Sequence, residues 1–153
     1  MKVKGFWSIV GLILIATLAA CSTTSSTVRI KGHIGASDDL NPDLAGRASP
    51  VVVRLYQLGS PGSFKRADFF ALYNNEMGSL GNTLIAVEEL EVQPGESRDY
   101  SAEMNVSTKY LGVVVAFRDL EDARWRGLVS LPKKNKISVN IELGSLGVSV
   151  TAE

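Results

Sequence analysis

One thiol, one imidazole and a few small clusters of carboxylate and ammonium groups are the side chains of this 153-residue chain that could do chemistry. The imidazole is His33. It alternates with Ile30 and Ile34 in step with Lys31, so it falls on the polar face of a period-two segment. A general base needs a group to orient it and a nucleophile to activate. No second histidine exists to build a metal pair, and His33 reads as a solvated surface residue. The serines lack a G-x-S-x-G elbow, and no glycine-rich phosphate loop joins a strand to a helix. Asp119, Glu121 and Asp122 lack the twelve-residue order of a calcium loop and read as a charged turn. Glu88, Glu89 and Glu91 read as charges that protect an exposed strand edge. Lys133, Lys134 and Lys136 form the one basic cluster. Anionic lipid or lipopolysaccharide could attract it, but a solvated hairpin tip is the plainer reading. The inventory predicts no enzyme, no metal site and no dissociable cofactor.

Cys21 is the only cysteine, which excludes an intramolecular disulfide and a cysteine-based zinc site. What precedes it is unlike the rest of the chain. Lys2 and Lys4 make a positive start, and Gly5 to Ala20 carries no charge. A helix over that stretch reaches about 24 Å, short of a hydrocarbon core of about 30 Å. A basic start, a short apolar run and a small-residue end predict a cleaved secretory signal over residues 1–20, with an uncut anchor as the alternative.

Leu18-Ala19-Ala20-Cys21 resembles a bacterial lipobox. That resemblance implies a diacylglyceryl group on the Cys21 thiol, cleavage before Cys21 and acylation of the new amine. Small Ala19 and Ala20 suit a peptidase site, and Leu18 suits an apolar pocket. A single acyl chain binds a membrane only marginally, whereas several on one residue hold it firmly. Ser22 follows. By resemblance to enterobacterial lipoprotein sorting, the absence of Asp there implies the outer membrane, on its periplasmic face. The mature chain, residues 21–153, carries 14 basic against 16 acidic side chains. Residues 21–27 then form the lipidated cysteine and a polar Ser/Thr tether, and residues 28–153 form one domain.

The elements of that domain follow from its apolar spacing. Its 45% hydrophobic and 21% charged residues are ordinary for a globular protein. Val28, Ile30 and Ile34 alternate with polar residues, and so do Ile137, Val139, Ile141 and Leu143. Val51 to Leu58 is an apolar run suited to a central strand. Leu84 to Val92 slips phase between Val87 and Leu90, which suggests a bulge or a break. Leu111, Val113, Val115 and Phe117 share one face of another strand. Phe117 and Trp125 read as core. Phe69, Leu72 and Tyr73 place an apolar stripe on a short helix over Ala67–Tyr73, capped by Ser63 or Asp68, with loop predicted from Asn74 to Asn82. Seven or eight short strands and one helix predict a two-sheet β-sandwich, with partial closure into a barrel as the alternative.

The connection Ser37 to Ser49 is thirteen residues, where two to five are usual between paired strands. It holds Leu40 and Leu44 beside Asn41, Pro42 and Asp43. Long loops on rigid scaffolds tend to be binding elements. Alternatively, Leu40 and Leu44 tuck beneath the loop and close the sandwich.

A lipobox, a first strand, then LNPDLAGRASPVVVRLYQL, FKRADFFALY and LGVVVAFRDLEDARWRGLVSL, in that order, resemble the TssJ (SciN, VasD) family of type VI secretion lipoproteins. The resemblance spans about residues 28–150. It implies a transthyretin-like β-sandwich with an added helix and no catalysis. It implies an outer-membrane anchor that docks the periplasmic C-terminal region of TssM, and through it TssL. It further implies that the first loop contributes to docking, through Asp39, Leu40, Asn41, Pro42 and Asp43. Asn41-Pro42 could instead serve turn geometry. A lipoprotein inhibitor of a periplasmic enzyme and a small-ligand carrier are the rival readings.

Overall fold

Alternation of apolar and polar residues builds eight strands. In the computed structural model, which describes residues 27–134 and 136–153, they are β1 (Thr27–Ala36), β2 (Val51–Leu58), β3 (Leu84–Val92), β4 (Ser97–Asn105), β5 (Tyr110–Val115), β6 (Arg126–Ser130), β7 (Lys136–Gly144) and β8 (Gly147–Ala152). The readings for the signal, for Cys21 and for most of the tether lie outside the described residues. The strands form two four-stranded sheets, ordered β4-β1-β7-β8 and β3-β2-β5-β6. All neighbours are antiparallel except β1 and β7, which pair in parallel from Arg29 opposite Lys136.

The inner faces meet in one core. Ile30 and Ile34 come from β1, Val51, Val53 and Leu55 from β2, Leu111, Val113 and Val115 from β5, and Ile137 to Leu143 on alternate positions from β7. Phe117 joins them, as expected, and Trp125 packs against the same cluster. Burying side chains of this size contributes about 1.5–3 kcal/mol each.

The second sheet is covered on its outer face as well. Three short helices lie there: α1 (Gly62–Arg66), α2 (Phe69–Asn74) and α3 (Glu76–Leu80), followed by a 3-10 turn at Gly81–Thr83. The expected single helix is thus a chain of three. Ala67 is extended and ends the first, and Asp68 caps the second through the Ala71 amide at 2.8 Å. Asn75 caps the third, so the stretch predicted as loop is partly helical. Phe64, Phe69, Leu72 and Leu80 pack on Tyr56, Leu58 and Val114 in a second core. Two sheet arginines hold the helices by their backbone. Arg126 donates to the carbonyls of Phe64 and Ala67, both at 2.8 Å. Arg54 donates to the Tyr73 carbonyl and pairs with Glu89 at 2.6 Å.

The predicted bulge is elsewhere. The register slips opposite Gln57 and Leu58, at the start of β3, and runs evenly from Val87 to Val92. The apparent phase slip arises because Glu88, opposite inward-facing Leu55, occupies an inner position at the open edge. Its carboxylate accepts a 2.5 Å hydrogen bond from the Tyr100 hydroxyl across the sandwich. The opposite edge is drawn together by an isolated bridge between Arg124 and Gly147. Closure is therefore confined to one edge. Nor is the lysine segment a hairpin tip: it crosses from β6 in one sheet to β7 in the other. His33 stands half-buried beside Ser97 and Asp99.

Candidate functional site

The connection from β1 to β2 crosses between the sheets, and its length follows from that span. Its two ends behave differently. At the base, Leu40 is wholly buried in the main core, and Asn41 is 3% exposed. Asn41 adopts φ 48°, in the left-handed region that asparagine tolerates better than most residues. Every polar group of Asn41 has a partner. Its amide donates to the Ser145 carbonyl at 2.9 Å, and its carbonyl accepts from the Ser49 hydroxyl at 2.9 Å. Its side-chain Nδ2 donates to the Pro50 carbonyl at 2.8 Å, and Oδ1 accepts from the Arg118 amide at 2.8 Å. One residue therefore ties three connections together.

The outer part of the loop is organised by Asp43. Oδ1 accepts from the Ala45 and Arg47 amides at 2.8 and 3.0 Å, and Oδ2 accepts from the Arg47 guanidinium at 2.8 Å. The Asp43 carbonyl accepts from the Gly46 amide at 2.8 Å. Gly46 sits at φ 77°, where a side chain would be strained. The Arg47 amide and guanidinium hold the Asp43 carboxyl below the usual carboxylate range. Such a ring of bonds makes the tip a rigid turn. At its apex Leu44 is fully exposed.

Of the residues expected to contact a partner, Asp39 is exposed, Pro42 and Asp43 are half-buried, and Leu40 and Asn41 point inward. The side chains of Leu40 and Asn41 shape the loop, and a partner cannot reach them without opening the core. The two leucines divide: Leu40 tucks under and Leu44 projects. Beside Leu44 lies an open groove of about 910 Å³, lined by Arg118, Leu120 and Glu121 of the β5–β6 connection, Leu146 and Phe70 among others. Phe70 is 63% exposed. The sequence carries its signal: Phe70 falls about 100° round the helix from the stripe of Phe69, Leu72 and Tyr73, off the buried face. The site is thus an apolar pair rimmed by charges of both signs, a surface suited to protein docking. Among the described residues, no group of three or more His, Cys, Asp and Glu is placed to hold a metal. No described helix is long and apolar enough to cross a membrane.

None of the curated proteins matches the chain. Solved structures do. The type VI secretion lipoprotein TssJ1 from Pseudomonas aeruginosa is 35% identical, covering 84% of this chain and 98% of that one, with a TM-score of 0.78. The Serratia marcescens protein Lip, described as a membrane-bound component of the type VI secretion system, shares the fold at 23% identity and a TM-score of 0.75, covering 80% of this chain and 96% of that one. A chain of a structure described as the TssM C-terminal domain (869–1107) from EAEC is 27% identical with a TM-score of 0.64, covering 84% of this chain and 98% of that one. The family model of the type VI secretion lipoproteins (VasD, EvfM, TssJ) matches residues 28–146, nearly the whole sandwich, and the chain belongs to that family.

Proposed function

We propose that this protein is the outer-membrane anchor of a type VI secretion envelope complex, with acyl chains on Cys21 and a docking surface for the periplasmic C-terminal region of TssM. The role is mechanical. The lipid retains the domain at the periplasmic face of the membrane, and the rigid loop presents Leu44 beside Phe70 to the partner. Joining anchor and docking surface in one chain raises the partner's effective concentration at the membrane. TssL is reached through TssM.

The observation that carries this reading is the fully exposed Leu44, held on a hydrogen-bonded turn over an open groove. A second support is one of size. Eighty-four per cent of 153 residues is about 130, far fewer than the 239 positions from 869 to 1107. The similar chain in that structure is thus the size of this domain, as a companion of the TssM domain would be.

The test is titration calorimetry of residues 22–153 against the TssM periplasmic region, beside Leu44→Asp. Burying a leucine contributes about 2 kcal/mol, so the variant should bind at least about tenfold more weakly. Its melting temperature should not move, because Leu44 packs on nothing. Binding by Leu44→Asp within about threefold of the unmodified chain would remove this surface from the docking site. Failure of the unmodified chain to bind would overturn the role and favour an inhibitor of a periplasmic enzyme.

A further inference from the structure

The two ends of the sandwich differ in charge, and the chain path decides which one meets the membrane. β1 starts at Thr27 and ends at Ala36, next to the docking loop. Ten residues of strand span about 30 Å, so the docking loop and the start of β1 occupy opposite poles. Thr27 is only six positions from Cys21, a reach of at most about 20 Å. A lipid on Cys21 therefore holds the Thr27 pole against the membrane surface.

That pole is basic although the mature chain is slightly acidic. Lys109 lies in the β4–β5 connection, Lys133 and Lys134 lie in the β6–β7 connection, and Lys136 opens β7 beside β1. All four are exposed, and none belongs to a described ion pair. Of the acidic residues near this end, Glu103 is taken by Arg29 and Thr27, and Glu153 lies beside Ser138, two residues along β7 from Lys136. The two connections are pinned together, with the Leu131 amide donating to the Lys109 carbonyl at 2.8 Å and the Lys109 amide to the Leu58 carbonyl at 2.9 Å. Between them lies a groove of about 540 Å³ with Val106, 51% exposed, at its rim. Lysines around a small apolar rim complement an anionic headgroup layer, where positive charge is attracted and apolar tips enter the interface.

We propose that this pole rests on anionic phospholipid headgroups through Lys109, Lys133, Lys134 and Lys136, with Val106 entering the interface, so that the domain stands with its docking loop directed away from the membrane. This rests on the lipid anchor proposed above. The sandwich crossover, not a hairpin, brings these lysines to the tether's side.

The test uses the mature chain purified from membranes, with acylation of Cys21 read first by mass spectrometry; once that thiol is acylated, a cysteine introduced at Val106 or Leu44 is the one free thiol for an environment-sensitive dye. The chain is placed on phosphatidylcholine vesicles and on phosphatidylcholine–phosphatidylglycerol vesicles of about three to one, and flotation is scored first. The Val106→Cys probe should turn apolar on the anionic vesicles and not on the neutral ones, while the Leu44→Cys probe stays wet on both. Each lysine near an anionic surface is worth about fivefold in affinity, so replacing all four by Gln should shift the contact equilibrium on the order of a hundredfold or more. Raising salt from about 0.1 M to about 1 M, which shortens the screening length from about 10 to about 3 Å, should release the probe with no substitution at all. A chain that floats but gives the same Val106 signal on both vesicles overturns this proposal and leaves the anchor standing. A chain that does not float overturns the anchor, and this proposal with it.

Discussion

Replacing Asn41 by alanine tests whether this residue builds the β1–β2 loop. Three costs add. The Pro50 carbonyl loses its 2.8 Å donor and the Arg118 amide its 2.8 Å acceptor, both in part-buried bonds made by the buried Asn41 side chain. Each orphaned group costs about 1 kcal/mol or more. Alanine at φ 48° adds about 1 kcal/mol of left-handed strain that asparagine largely avoids. The expected loss is about 3 kcal/mol, which for a domain of this size lowers the melting temperature by about 12 °C. Asn41→Gly removes the same two hydrogen bonds but accepts the backbone angle, so it should be the milder change by about 1 kcal/mol. Urea unfolding of the three proteins, with hydrogen exchange at the Arg118 amide, separates these contributions. That amide should lose its protection in both variants. An alanine variant within about 1 kcal/mol of the parent, or a glycine variant less stable than the alanine one, would refute this account of the loop.

Gly112→Ala should destabilise by about 1–3 kcal/mol in urea unfolding, because the new methyl would lie 2.6 Å from the Phe64 ring, and Phe64→Leu should restore part of it. Arg126→Met should cost about 3 kcal/mol and detach the first helix, seen as faster exchange at the Lys65 and Ala67 amides that close its turn, since one guanidinium serves both the Phe64 and Ala67 carbonyls. Burial and the neighbouring Glu88 carboxylate push the Tyr100 hydroxyl well above its ordinary pKa, and burial does the same for Tyr56. A raised folded-state value means the fold keeps the proton. That stability is complete below the unfolded value near 10 and declines as pH rises past it, so unfolding free energy should hold level to about pH 9 and fall as pH rises above about 10, less steeply in Tyr100→Phe.

Strands are the elements a sequence states most openly, because a half-buried strand needs alternation and nothing else. β7 alternates without a break and folds as read, and Val51 to Leu58 is the interior strand its apolar run implies. The same logic misplaced the bulge at Val87–Leu90. An inward-facing Glu88 at the exposed edge breaks the hydrophobic pattern, and its carboxylate is met by the hydroxyl of a tyrosine 12 residues away, on the other sheet. The helical segment was half legible: the stripe of Phe69, Leu72 and Tyr73 located it. Its division into three turned on an extended Ala67 and two side-chain caps.

For the candidate site, the sequence showed that a thirteen-residue loop with two leucines needed an explanation, and it pointed to Cys21 as the residue expected to carry lipid. Which leucine faces outward was a tertiary decision. Leu40 and Leu44 are four residues apart in the same kind of sequence, and local chemistry treats them alike. They separate because Asn41 turns the backbone into the left-handed region and bonds to Pro50 and Arg118 from two other parts of the chain, closing Leu40 into the core. Asp43 then closes a second, outer turn that leaves Leu44 in water. The lysine cluster shows the same limit. Its charge was plain in the sequence, but its position at the pole where β1 starts depends on β6 and β7 lying in different sheets, and sheet membership is set by long-range pairing that no local window contains.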